Sequence, residues 1–156
     1  MSEALAPESV QVEHQELKQF LARASREPGA LGESARLVAR LLDVHMEKEE
    51  QFALPALACL RPLAEGRFRR EMADLLAQTE WLKKNLPDLL AEHRAILAAL
   101  ERLVAAARAA GRFDCVEFAE KLVDHARLEE EILYPAVIVL GEYIKRKLED
   151  TVELNP

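Results

Sequence analysis

His45 and Glu49 stand four residues apart, as do His125 and Glu129, and in each case a proline, Pro55 or Pro135, follows ten residues after the histidine. Side chains at i and i+4 leave the same face of a helix one turn apart. Each pair therefore offers an imidazole nitrogen and a carboxylate oxygen to one point in space, a donor set that suits a first-row transition metal. Helical phase selects Glu49 and Glu129 from their Glu-Glu doublets, because Glu50 lies about 140° around the helix from His45, and Glu130 bears the same relation to His125.

The other two histidines of the chain, His14 and His93, sit in matching Glu13-His14 and Glu92-His93 doublets. His14 to His93 spans 79 residues, and His45 to His125, Glu49 to Glu129 and Pro55 to Pro135 each span 80, so the two halves of the chain repeat one another. A lone histidine on an apolar helix face is more often a hydrogen-bonded core residue than a ligand. Here all four lie on apolar stripes and two carry a glutamate on the same stripe. Burying two carboxylates without compensation costs on the order of several kcal/mol each, or forces them to protonate. A pair of metal ions removes that penalty.

Four imidazoles and two carboxylates let each carboxylate bridge two ions, as in dinuclear sites whose metals lie about 3.5–4 Å apart. Iron is favoured over zinc, which prefers closed four-coordinate sites, and over manganese, which prefers more oxygen ligands. Glu13 and Glu92 lie about 100° off the direction of their neighbouring histidines and read as solvated surface groups. Tyr134 and Trp81 read as core or boundary packing. Pro55 and Pro135 are expected to kink or end helices about 15 Å beyond the metal layer.

The elements that must hold these side chains are helices. Glycine (5) and proline (7) are scarce among 156 residues, Ala, Leu, Glu and Arg are abundant, and no alternating β-branched run suggests a strand. A first helix opens at Pro7-Glu8, buries Val10, His14, Leu17 and Leu21, and stops at Glu27-Pro28-Gly29. A second carries Val38, Leu41, His45, Glu49, Phe52 and Ala56 on one face. An amphipathic segment from Pro62 to Lys84 reads as a connecting helix, separated by a break or sharp kink near Asn85 to Pro87 from a third core helix bearing Leu89, His93, Ile96, Leu97, Leu100 and Val104. After Gly111, Asp114 and Glu117 form a D-x-x-E capping box for a fourth helix with Phe118, Leu122, His125, Glu129, Ile132 and Ala136 on one face.

The expected fold is all-α: an antiparallel up-down four-helix bundle with an additional connecting helix between core helices 2 and 3. It forms a single domain over 1–156, with its core at about 8–148 and a frayed tail at 149–156. His14 to Ser25 and Ser34 to His45 are both 11 residues, which levels the first hairpin. The second is uneven, 17 residues from His93 to Ala110 against 10 from Cys115 to His125. Either the third helix ends early or the loop doubles back.

A net charge of −7 and few aromatics disfavour nucleic acid as a partner. Met1 to Val10 has no basic, apolar leader pattern, and the longest apolar stretch, Ala136 to Leu140, is too short to cross a membrane. Cys59 and Cys115 fit neither a redox pair nor a zinc motif and read as small core hydrophobes in a reduced, cytoplasmic setting.

At these residues the chain resembles the hemerythrin-like, or HHE cation-binding, family of four-helix bundles with a non-haem di-iron centre. His14, His45 with Glu49, His93, and His125 with Glu129 match the H…HxxxE…H…HxxxE pattern over about residues 8 to 148. The resemblance implies two non-haem iron ions with an oxo or hydroxo bridge, His14 and His45 on one, His93 and His125 on the other, and Glu49 and Glu129 bridging. It also marks two departures from the oxygen carriers: Leu97 replaces their fifth histidine, and Glu130 stands where they have an aspartate. Those differences point away from reversible oxygen transport and towards reaction with, or sensing of, peroxide, nitric oxide or dioxygen in stress response or iron-centre repair. The small cysteine-containing domain of the repair proteins is absent. An iron- or oxygen-sensing or storage module without turnover is the alternative.

Overall fold

The computed structural model describes residues 6–153. Among the described residues every regular element is helical. Helix α1 (Glu8–Ala24) starts after Pro7 with an acidic residue in its first turn and buries His14, Leu17, Leu21 and Ala24. α2 (Gly29–Phe52) buries Ala35, Val38, Leu42, His45, Met46 and Glu49. Two short turns, α3 (Leu54–Leu57) and α4 (Leu60–Ala64), and a 3₁₀ turn at Arg70–Leu75 then lead to α5 (Leu76–Ala109). α6 (Phe113–Leu128), one π turn at Glu129–Leu133, and α7 (Tyr134–Glu153) follow without interruption.

α2 packs most extensively on α5, α1 lies on α2, and α5 also carries α6 and α7, while α1 meets α6 along a narrower seam. A large apolar core built from Leu17, Leu21, Val38, Leu42, Ile96, Leu103, Phe118 and Leu122 fills the end near the short loops. A second, around Leu54, Leu57, Leu82, Leu89, Tyr134 and Val137, fills the region beyond the histidines. Cys59 and Cys115 are free and buried, and burial raises both thiols. No described helix is long and apolar enough to cross a membrane.

Several expectations are corrected. Helix α5 is unbroken through Pro87, so residues 76–84 belong to it and not to a separate connecting helix. Only the short turns at Leu54–Leu57, Leu60–Ala64 and Arg70–Leu75 join α2 to α5. The proline is exposed and its neighbours Leu82 and Leu89 are buried, so packing on both sides outweighs the one lost hydrogen bond. A helix of this length is supported because the run from Phe113 to Glu153 is longer still and packs on α5 through both α6 and α7. The C-terminal part of that run packs Leu148 on the cluster of Cys59, Met72, Leu75 and Ile144 and is helical to Glu153, and the end of the tail expected to fray, 154–156, lies outside the described residues.

The capping box does not form: no side chain caps α6, and Asp114 instead takes two 3.0 Å hydrogen bonds from Arg112. α2 begins at Gly29, not Ser34, which removes the level count for the first hairpin. In the second, α5 neither ends early nor does the loop double back. A tight turn through Gly111, at φ 66°, joins α5 directly to α6.

Candidate metal centre

His14 comes from α1, His45 and Glu49 from α2, His93 from α5, His125 from α6 and Glu129 from the start of the π turn. All six are at least 96% buried. The i, i+4 spacing does what helical geometry requires: His45 Nε2 is 3.3 Å from Glu49 Oε1, and His125 Nε2 is 2.7 Å from Glu129 Oε1. Across helices, His93 Nε2 lies 3.1 Å from Glu129 Oε2, while His14 Nε2 lies 3.5 Å from Glu129 Oε1 and 3.7 Å from Glu49 Oε2. Every histidine thus turns Nε2 inward.

The rings pair across the hairpins. His14 meets His125 at 5.1 Å between centroids and His45 meets His93 at 4.4 Å. Ligand atoms accordingly gather in two groups, His45, Glu49, His93 and Glu129 in one and His14, His125 and Glu129 in the other. This differs from the pairing within hairpins that the resemblance implied. The repeat exchanges His14 with His93 and His45 with His125, and either pairing obeys it, so duplication in sequence does not select between them.

Each outward Nδ1 faces a second carboxylate. His45 Nδ1 is 2.9 Å from Glu92 Oε2 and His93 Nδ1 is 2.7 Å from Glu130 Oε1. His125 Nδ1 is 3.2 Å from Glu13 Oε1, and His14 Nδ1 is 3.7 Å from Glu50 Oε1. At His45 and His93 the contact is a hydrogen bond, which fixes the tautomer, freeing the Nε2 lone pair for a metal and making it more basic; at His14 and His125 the carboxylate is near but makes no hydrogen bond. Glu13 and Glu92 are therefore partners of the site and not merely solvated surface groups. Glu50 and Glu130 point away from the histidine of their own helix, as their phase demands, but towards one on a neighbouring helix. The duplicated Glu-His and Glu-Glu doublets carried that signal in sequence.

Burial opposes charge on His125, but the Glu129 carboxylate 2.7 Å away outweighs it and raises the imidazole to about 9. His45 is raised in the same way by Glu49 and Glu92 against its own burial. Glu129, though buried, is held well below the ordinary carboxylate range by His125, His14 and His93. Burial also opposes the Glu92 carboxylate, yet Lys48 and His45 keep it below its usual value.

Tyr134 was read as packing, and the structure corrects this. Its hydroxyl donates to Glu49 Oε1 and lies 3.2 Å from His45 Nε2 and 3.4 Å from His93 Nε2. Nine residues after His125, a plain α-helix would turn it to about the opposite face. The π turn, in which Tyr134 N–H bonds the Glu129 carbonyl five residues back, inserts one residue and shifts the phase. Ile132, expected in the core, is consequently 55% exposed, and Val137 replaces Ala136 as the fully buried position. Trp81 does pack, stacking on Phe52 at 4.0 Å.

The cavity among His45, Glu49, His93, His125 and Glu129, walled by Leu42, Ile96 and Leu122, has a volume of about 10 Å³. That is the room of one ion or water, with no space for an organic substrate. Buried polar atoms without a hydrogen-bond partner include His14 Nδ1, Glu49 Oε2 and both ring nitrogens of His125. Buried donors and acceptors rarely stay unpaired, and a nitrogen and oxygen set of this kind is what a transition metal satisfies.

A family model, the hemerythrin HHE cation-binding domain, matches residues 6–137. The chain belongs to this hemerythrin family. The match spans both copies of the repeat and all six inward-facing ligand candidates of this HHE domain. No curated protein and no solved structure gave a match. Leu97, where the resemblance placed the missing fifth histidine, lines an outer groove between α5 and α6 with Leu100 and Val104, so in this HHE domain it does not reach the central cavity.

Proposed function

We propose that this HHE domain is a non-haem di-iron protein that reacts with or senses a small oxidant or diatomic gas, such as peroxide, nitric oxide or dioxygen. Oxidative or nitrosative stress response, or iron-centre repair, in the cytoplasm is its setting. α1, α2, α5 and the run from α6 to α7 are read as the four antiparallel members of the bundle. The observation that carries the proposal is the buried set of four inward Nε2 atoms and two carboxylates, gathered in two groups that could each hold an ion, with no room beside them for an organic molecule.

One ion would be held by His14 and His125, the other by His45 and His93, with Glu49 and Glu129 reaching both. Iron bound there would supply redox electrons and coordination positions for a small ligand. The chain's own part is to orient the imidazoles through the carboxylates beside their Nδ1 atoms, Glu92 and Glu130 foremost, and to exclude bulk water with Leu42, Ile96 and Leu122. Four histidines for two ions leave more open positions than five would.

Elemental analysis with an absorption spectrum of aerobically purified protein tests this. Two irons per chain with near-ultraviolet absorption, and turnover of added peroxide or nitric oxide, are the expected results. Iron without reactivity would leave the sensing or storage reading, which the closed, ion-sized cavity also favours. Absence of bound iron after anaerobic reconstitution would overturn both.

A further inference from the structure

We propose that the outward face of the run from α6 to α7 is where two copies of this chain associate, antiparallel and about a two-fold axis at Val139. The inference goes beyond the di-iron reading and does not depend on what the buried centre holds.

Exposed large apolar side chains elsewhere on the domain, such as Val12, Val44 and Phe113, sit on separate helices, but Leu128, Ile132, Val139 and Tyr143 all belong to this one run. Ile132 is turned outward by the π turn that turns Tyr134 inward. Beyond it the exposed Pro135, Val139, Tyr143 and Arg146 follow at intervals of four, four and three residues, which holds them on one stripe. Tyr134, Val137, Leu140 and Ile144 are buried on the opposite side. Apolar residues scattered singly on a surface need no explanation, whereas an exposed apolar stripe at helical spacing is a seam that a second helix covers.

The charges beside the stripe say which helix that is. Glu131 lies eight residues before Val139 and Arg146 seven after it, while Arg127 lies twelve before and Asp150 eleven after, and all four are exposed. Opposite signs at matching distances from one residue make the face complementary to itself. With Val139 against Val139 of the second copy, an antiparallel pair brings Glu131 to Arg146 and Arg127 to Asp150, each twice. The Arg146 stem then covers Ile132 of the second copy, and Pro135 meets its Tyr143. A parallel pair would set Glu131 against Glu131 and Arg146 against Arg146, a like-charge penalty that selects the antiparallel one. Glu142, between Val139 and Arg146, adds little repulsion because Lys83 of α5 and Lys145 bind it at 3.0 and 3.1 Å. One face paired with itself about a two-fold axis closes at two copies.

Sedimentation velocity on the whole chain as purified tests this, from micromolar to millimolar concentration at moderate salt. Wild type should pass from monomer to dimer as concentration rises. Val139→Glu, at a position 66% exposed, should stay monomeric with unchanged helical circular dichroism. Glu131→Arg and Arg146→Glu should each weaken association about tenfold, since each reversal removes two symmetry-related surface pairs, and the double variant should recover it. Wild type that remains monomeric at millimolar concentration, assembles beyond two copies, or forms a dimer that a folded Val139→Glu retains would overturn the proposal. Should Val139→Glu lose its helicity, the charge variants decide: a double variant that associates no better than the single ones rules out antiparallel pairing through this face.

Discussion

The carboxylate of Glu92 on α5 stands 2.9 Å from Nδ1 of His45 on α2, and on its other side binds Lys48, one turn beyond that histidine. A residue next to one ligand in sequence thus orients a different ligand in space. Replacing Glu92 with Gln keeps an acceptor of similar shape but removes the charge that makes Nε2 basic. Such changes in the partner of a ligating histidine lower metal affinity about 10- to 100-fold. Competition with a chelator should show this for Glu92→Gln, and for Glu130→Gln at His93, with circular dichroism unchanged because both carboxylates are partly exposed. Unaltered affinity would mean that these groups are only surface charge.

Protonation of the site gives the stripped protein an unusual pH profile. His125 titrates at about 9 in the fold, against 6.5 for an ordinary imidazole. A raised value means that its contribution to stability is complete below pH 6.5 and is lost as pH rises through 9. Glu129 is displaced the other way, so its contribution is complete above pH 4.5 and is lost only well below that. Thermal melts of chelator-treated protein should therefore peak between these two ordinary values and fall towards pH 9. Metal binding requires neutral imidazoles, so iron affinity should rise over the same interval. A stripped protein whose melting point is flat from pH 6.5 to 9 would contradict the ion pairing of His125 with Glu129.

The six inward residues were legible because i, i+4 spacing converts directly into a shared helical face, and because the duplication made chance placement of four histidines on apolar stripes implausible. The outer carboxylates were half legible. Their doublets repeat, but which helix each faces depends on bundle packing, and wheel angles on one helix cannot give that. Tyr134 was illegible for a sharper reason. One extra residue in the turn at Glu129–Leu133 resets the phase of everything after it, so Ile132 and Tyr134 exchange surroundings with no change in apolar pattern to announce it.

Pro87 gives a test of what packing overrides. It is exposed within α5, lacks the N–H that would bond the Lys83 carbonyl, and is spanned by the buried Leu82 and Leu89. An interior proline costs a helix about 3 kcal/mol relative to alanine. Pro87→Ala should therefore raise the denaturation midpoint, by up to about that energy, with iron content unaffected. A loss of stability would show that the proline-adapted path of the helix is what lets Leu82 and Leu89 reach their core.

Gly141 on α7 and Thr79 on α5 fix how closely those helices approach. In an open helix interior, glycine to alanine would gain about 1 kcal/mol. Here the added Cβ would collide with Thr79 Oγ1 and stand 2.7 Å from Thr79 Cβ. Rotating the threonine side chain clears the first contact but not the second, because Cβ is anchored to the backbone of a buried residue. Overpacking of this kind costs about 1–3 kcal/mol, so Gly141→Ala should be destabilising despite its better propensity. Thr79→Gly removes both contact atoms. A double-mutant cycle in urea should then show Gly141→Ala becoming neutral or favourable on the Thr79→Gly background, with a coupling of at least ~1 kcal/mol. Additive effects would mean that α5 and α7 separate readily and that this crossing does not constrain where Tyr134 is held.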